Sequence, residues 1–194
     1  MAKGLSPMMA QYFEIKSKYP GMLLFFRLGD FYEMFFDDAR VASEELDLVL
    51  TGKECGMDER APMCGVPFHS ADNYIARLVA RGYKVAICEQ VEDPKQAKGL
   101  VKRDVIRIIT PGTVIESNML DDTVNNYLCS ICKGKKETGI CFADVSTCEF
   151  HITVVNGEDA EEQIVNQLST YQPKEILVNS AALDFSMVAD FTKH

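Results

Sequence analysis

Four carboxylates crowd one short stretch of this 194-residue chain: Asp30, Glu33, Asp37 and Asp38. Two or three acidic side chains converging on a divalent ion are what a Mg²⁺-dependent nuclease requires. On a helix, offsets of three and four put Asp30, Glu33 and Asp37 on one side. No lysine or second acidic motif is placed beside them, and a capped, solvated helix face explains all four. The solvated face is the preferred reading and the nuclease the alternative. A second group, Cys129-Ser130-Ile131-Cys132 with Cys141 and Cys148 downstream, has the spacing that opens a zinc site. It lies in a segment of strand period, where an offset of three turns two side chains to opposite faces. Small hydrophobes in a strand is the reading adopted, and no metal site is assigned. His69, His151 and His194 are too scattered for a nucleophilic triad. No G-x-x-x-x-G-K-[ST] loop occurs, so nucleotide hydrolysis has no seat here. No catalytic residue is assigned and none of these groups calls for a cofactor. The remaining pair is Phe31 with Glu33, near the proline-stiffened segment at Pro67 and His69. An aromatic on a first helical turn is more often a staple into the core. The competing role is an exposed wedge that enters the minor groove of DNA and unstacks a base step.

The elements around that pair are legible as local patterns. Met22 to Phe26 is an apolar run bounded by Gly21 and Gly29, too short for a buried helix, and predicts a core strand. Asp30 then fits an N-cap with Glu33 completing a capping box. Tyr32, Phe35, Ala39, Ala42 and Leu46 make one apolar stripe of a helix reaching roughly Leu48. On that helix Phe31 lies at the stripe's edge, about 60° from its centre, and Glu33 points nearly the other way. Upstream, Ser6-Pro7 starts a helix with Met8, Tyr12, Ile15 and Tyr19 on one face. Residues 54–60 have no periodicity and predict a mobile loop. Residues 61–69 carry two prolines and a glycine in an apolar run, a short strand leading to a stiff loop tip. Ser70 is placed to cap a helix ending at Gly82, and strands follow at 83–88 and 105–109.

Residues 113–126 are polar and acidic and read as a linker between a domain at 1–112 and a second at 127–194. The second domain shows three strand-like segments, a helix at 158–171, a strand at 175–178 and a last helix containing Val188 and Phe191. The fold class is mixed α/β, an N-terminal mixed β-sheet flanked by helices followed by an α/β domain whose element order looks unfinished.

Composition narrows the partners. With 47% apolar and 25% charged residues the chain is an ordinary globular one. No segment approaches the eighteen apolar residues of a membrane span, and seven cysteines among apolar neighbours suit reduced thiols in the cytosol. The net charge of −9 is uneven. Residues 1–110 hold 15 basic and 16 acidic side chains, with a basic section of Lys95, Lys98, Lys102, Arg103 and Arg107, whereas 111–194 hold 5 and 13. Only the first part is a credible partner for phosphates.

Four motifs in order, Gly29-Asp30-Phe31-Tyr32-Glu33-Met34-Phe35, Pro62 to His69, Val85 to Gln90 and Arg107 to Thr113, closely resemble the start of the bacterial MutS family of DNA mismatch recognition proteins. Residues from about 127 resemble, more by pattern than by motif, the beginning of that family's connector domain, which has an RNase H-like fold and is not a nuclease. The resemblance implies that Phe31 stacks on a mispaired or unpaired base from the minor groove while Glu33 hydrogen-bonds it. Leu28, Asp30, Lys53, Pro67 and His69 fall where neighbouring DNA contacts lie. Leu28 stands where some members carry methionine. The implied partners are double-stranded DNA with mismatches or small insertion/deletion loops, a second copy in a full-length homodimer, and other mismatch repair proteins through the connector. ATP and Mg²⁺ would belong to domains outside these residues. Without them the chain alone is expected to bind DNA weakly or undetectably.

Overall fold

The computed structural model describes residues 5–93 and 99–184. The chain divides into two compact units, Met1–Ile109 and Thr110–His194. Among the described residues no helix is long and apolar enough to cross a membrane. The architecture is mixed α/β, as the sequence predicts.

In the first unit the elements run α1 (Pro7–Lys16), β1 (Leu23–Leu28), β2 (Phe31–Phe35), α2 (Phe36–Leu46), β3 (Thr51–Lys53), β4 (Ala61–Pro67), α3 (Ala71–Ala80), β5 (Val85–Gln90) and β6 (Arg103–Ile109). The strands form one sheet in the order β3-β4-β2-β1-β5-β6. Only the β1–β5 pairing is parallel. Strand β1 is apolar on both sides because it lies near the middle of a covered sheet. One face, with Leu24, Phe26, Phe35, Ala86 and Cys88, packs against Met9, Tyr12 and Ile15 of α1. The other is the side of Leu23, Phe25, Tyr32 and Met34. Helix α1 begins as predicted: Ser6 Oγ accepts from the Met9 amide and Pro7 takes the first helical position. Its buried residue in the first turn is Met9 rather than Met8.

The segment after β1 differs from the sequence expectation. Gly29-Asp30 is not a helix start but the two-residue turn of a β-hairpin, and Phe31–Phe35 is a strand. Gly29 adopts φ +58°, the glycine conformation that hairpin turns of this length demand and that other residues resist. Asp30 therefore caps nothing, and Glu33 closes no capping box. Tyr32 and Phe35 are buried as predicted, but on a strand. The chain enters α2 only at Phe36, whose φ of 54° is strained for a bulky residue and breaks strand from helix. Packing of its ring near Tyr12 and Phe13 offsets that strain. Local spacing alone favoured a helix; the pairing of β2 with β4, some thirty residues away, decides for a strand.

Smaller departures follow the same logic. Ser70 does not cap α3; its hydroxyl donates to the Pro67 carbonyl within a short 3₁₀ turn, Phe68–Ser70. The 54–60 loop has no regular structure, yet Cys55 is fully buried in the core and its carbonyl accepts from the Ser6 amide.

The second unit runs β7 (Tyr127–Lys133), β8 (Glu137–Asp144), β9 (Glu149–Asn156), α4 (Ala160–Tyr171) and β10 (Glu175–Val178). The sheet order is β10-β7-β8-β9, with β7 to β9 an antiparallel meander and β10 parallel to β7. Ile164 and Leu168 of α4 pack on Tyr127, Cys129, Ile131, Ile140 and Phe142. Cys129 is buried and Cys132 exposed, on opposite faces of β7. Asp144 is buried at the β8–β9 turn, where the Asn126, Ser146 and Thr147 amides and the Ser146 hydroxyl all donate to its carboxylate. Burial works to raise its pKa, but those donors together hold it below the usual carboxylate range. The stretch read as a linker, 113–126, holds a short 3₁₀ turn at Ser117–Met119 and follows another at Pro111–Thr113, and Asn126 Nδ2 donates to the Pro111 carbonyl at 3.0 Å. The expected last helix lies outside the described residues.

Candidate nucleic-acid interface

The hairpin places the two residues of interest. In a strand, residues two apart share a face, so Phe31 and Glu33 point the same way, contrary to the helical reading that separated them. Phe31 pairs with Leu28 on one side and Pro67 on the other; Glu33 pairs with Phe26 and Gly65. Further along this face α1 covers the sheet and the Arg103 guanidinium lies over the Phe26 ring at 5.1 Å. Phe31 is 46% exposed, on a strand whose next residues, Tyr32, Met34 and Phe35, are buried. An exposed ring on a rigid, otherwise well-packed element is not a core staple.

Gly65 stands directly opposite Glu33 and leaves the floor beside it open. A Cβ there would meet the Tyr32 carbonyl at 3.1 Å and Glu33 Cγ at 3.4 Å. The Glu33 carboxylate is not free: the Lys53 ammonium, from the edge strand β3, is ion-paired with it. The same ammonium lies 5.9 Å from the centre of the Phe35 ring.

The turn at 68–70 is tied to the hairpin, since the Phe68 amide donates to the Asp30 carbonyl at 2.9 Å. That bond draws Asp30, Pro67 and His69 to the end of the sheet that carries Phe31. Leu28 is half-buried there, and Asp30 and His69 are exposed. Six of the seven residues singled out in the sequence thus gather at one end of the sheet, Glu33 one step inward; Lys53 stands opposite Ala61 at the other end of β4 and joins them only through its ion pair with Glu33.

Two residues not singled out lie at the same end of the sheet but on its other face, the side of Tyr32. Phe68 is 42% exposed and the Arg27 guanidinium lies over its ring at 3.7 Å. Arg27 is held by Glu89 at 3.2 Å and by the Gly29 carbonyl. The available signal was the aromatic itself, seated between Pro67 and His69 in a stiff loop. Tyr32 donates its hydroxyl to Glu89; burial first and that carboxylate second push the Tyr32 pKa up to about 12.

The described residues of the basic section, Lys102, Arg103 and Arg107, do not form one surface. Arg103 is buried, its guanidinium donating to the Arg27 and Val101 carbonyls and to Gln11. Burial, partly offset by nearby Cys88, holds its pKa down. Lys102 and Arg107 are exposed, whereas Lys95 and Lys98 lie outside the described residues. The acidic quartet also disperses. Asp30 sits in the turn, Glu33 meets Lys53, Asp37 is exposed and pairs with Arg40 at 2.6 Å, and Asp38 is buried. Asp38 accepts from the Leu24 amide at 3.0 Å and from Lys16 at 2.8 Å. These carboxylates converge on no common point, and among the described residues no group of three or more His, Cys, Asp or Glu is placed to hold a metal ion.

What remains on this face is an exposed ring with a carboxylate beside it and a backbone floor at Gly65 that carries no side chain. The sequence model of MutS domain I matches residues 6–118, and that of MutS domain II matches residues 126–193. The chain belongs to the MutS family. It is 61% identical over 175 residues to the DNA mismatch repair protein MutS of Acetivibrio thermocellus, covering 90% of this chain and 20% of that relative. The MutS protein of Ruminiclostridium cellulolyticum is 56% identical, covering 91% of this chain and 20% of its own length. For that of Clostridium perfringens the identity is 54%, with 97% and 20% covered. The chain spans about a fifth of the length of these MutS relatives.

Proposed function

We propose that the first unit is the DNA-contacting module of a mismatch repair protein, and that it senses how easily a base step opens. Phe31 enters from the minor groove and stacks on a mispaired or unpaired base, and Glu33 accepts a hydrogen bond from that base. A mismatch or small insertion/deletion loop unstacks and bends at lower energy than a paired step, so the wedge engages it preferentially. The observation that supports this most strongly is the shared face of an exposed Phe31 and Glu33 on a rigid hairpin. Leu28, Asp30, Pro67 and His69 supply the surrounding contacts at the same end of the sheet.

A duplex carrying 2-aminopurine at an unpaired position tests the stacking directly. Its fluorescence is expected to fall on binding a protein of the relatives' full length that carries this segment, and to stay unquenched with Phe31→Ala. Equal quenching by both proteins would refute the wedge. The chain itself is proposed to be non-catalytic, leaving plasmid DNA intact in Mg²⁺; ATP hydrolysis and homodimer formation are assigned to the longer protein. The acidic second unit is proposed to meet other repair proteins rather than DNA, since residues 111–194 hold 5 basic against 13 acidic side chains.

A further inference from the structure

A carboxylate is a poor group to carry into a DNA groove, because phosphates repel it. Glu33 nevertheless stands beside the exposed ring, and the structure shows how its charge is handled. Lys53 reaches across from β3 to pair with it, leaving the Glu33 side chain 15% exposed and that of Lys53 32% exposed. Two features of the sheet make this pairing possible. Strand β3 is only three residues long and its pairing with β4 sets Lys53 opposite Ala61, a side chain too short to block its path. Gly65, opposite Glu33, presents no side chain between the two strands that carry the pair.

We propose that Lys53 is the exchangeable counter-charge of Glu33, a positioning residue that sets the mismatch preference; this rests on the reading of Phe31 and Glu33 given above. On undistorted duplex the pair stays closed and the surface beside Phe31 is electrically neutral. Where a base is unstacked and turns an N–H toward Glu33, the base replaces the ammonium as donor to the carboxylate. Lys53, released, turns to a phosphate oxygen. Each charge then exchanges one partner for another, and none is left bare. In an intact duplex the N–H offered to the minor groove is the guanine N2 amino group, fixed in the plane of a stacked pair, so the exchange requires a base step that opens and turns its donor toward Glu33.

Two roles for Lys53 are separable by charge. If it only contacts phosphate, its loss is the same whether or not Glu33 is present. If it masks Glu33, removing both charges restores what removing one destroys. The experiment measures affinity for matched and mismatched duplexes by fluorescence anisotropy, in a protein of the relatives' full length, for Lys53→Met, Lys53→Arg, Glu33→Gln and the Glu33→Gln/Lys53→Met pair. Circular dichroism checks that each variant is folded. Lys53→Met is expected to weaken matched-duplex binding by about tenfold, the effect of an unmasked carboxylate near phosphates. Lys53→Arg should bind as the parent does. The double variant should return matched-duplex affinity to within about threefold of the parent, with a parental salt dependence, because its net charge is unchanged.

A double variant as weak as Lys53→Met, or a Lys53→Met variant that binds normally, overturns the proposal. Phe31→Ala is measured alongside. If it abolishes mismatch preference while the double variant fails to recover, the exchange falls and the wedge stands; if it leaves the preference intact, both fall.

Discussion

Replacing Phe31 with alanine separates a binding wedge from a core staple by its thermodynamic signature. Fully burying a phenylalanine side chain is worth roughly 1.5–3 kcal/mol. Phe31 is 46% exposed, so truncation removes about half of that, roughly 0.8–1.5 kcal/mol. Exchanging an aromatic strand residue for alanine adds at most about 1 kcal/mol. Phe35, four residues along the same strand, is fully buried; Phe35→Ala is expected to cost roughly 3–5 kcal/mol. The two variants differ in burial but share strand and residue type. Native-state hydrogen exchange of the slowest amides in β1 and β5 reads the opening free energy of the first unit without interference from the second. The expected result is a loss for Phe31→Ala less than half that for Phe35→Ala, with mismatch preference abolished in the full-length context. Equal losses would make Phe31 a staple and end the assignment.

Asp38→Ala removes the acceptor for the Leu24 amide and the partner of Lys16, leaving a buried donor unsatisfied, and should destabilise the first unit by about 2–4 kcal/mol in the same exchange experiment. For Tyr32 the folded pKa, pushed up to about 12, exceeds the unfolded value of about 10. Its contribution is therefore complete below about pH 10 and declines as pH rises toward 12. Urea midpoints between pH 9 and 12 should fall less steeply for Tyr32→Phe, and parallel curves would contradict this. Thiol reactivity should sort by burial. Cys132 and Cys148 are exposed, whereas burial pushes Cys64 up to about 11 and Cys88 and Cys129 up to about 12. Titration of the folded chain with a chromogenic disulfide at pH 8 is expected to label the first two rapidly and the other three only on unfolding.

Much of the fold is written locally. Ser6-Pro7 announces α1, the run at Val85–Cys88 announces β5, and the turn signals between 133 and 148 separate a meander. Residues 31–35 carry a misleading local pattern for a specific reason. Asp30 and Glu33 mimic a capping box, and Tyr32, Phe35 and Ala39 happen to fall at helical spacing, while the deciding partners, Gly65 and Pro67, are distant in sequence. Edge strand β3 has no local signal, being three residues whose only pairing is to β4. The candidate site residues come from the resemblance to a family and not from spacing, which places Phe31 and Glu33 on different sides of a helix. The Lys53–Glu33 pair spans twenty residues and exists only in the folded sheet. Arg103 shows the reverse failure, because a basic residue in a basic section gives no hint that the fold buries it.

The hairpin ladder also says what kinds of sequence change this unit tolerates. Phe31 and Glu33 share an aim only because one residue lies between them and both neighbouring strands hold the register. Substitution at Tyr32 alters packing but not aim. A one-residue insertion or deletion inside β2 would rotate one of the pair to the opposite face of the sheet, toward the side of Arg27 and Tyr32. The 54–60 loop lies outside the ladder, and length there can drift with only Cys55 fixed in the core. Over evolutionary time the hairpin should accumulate replacements and almost no gaps, while the neighbouring loop accumulates both.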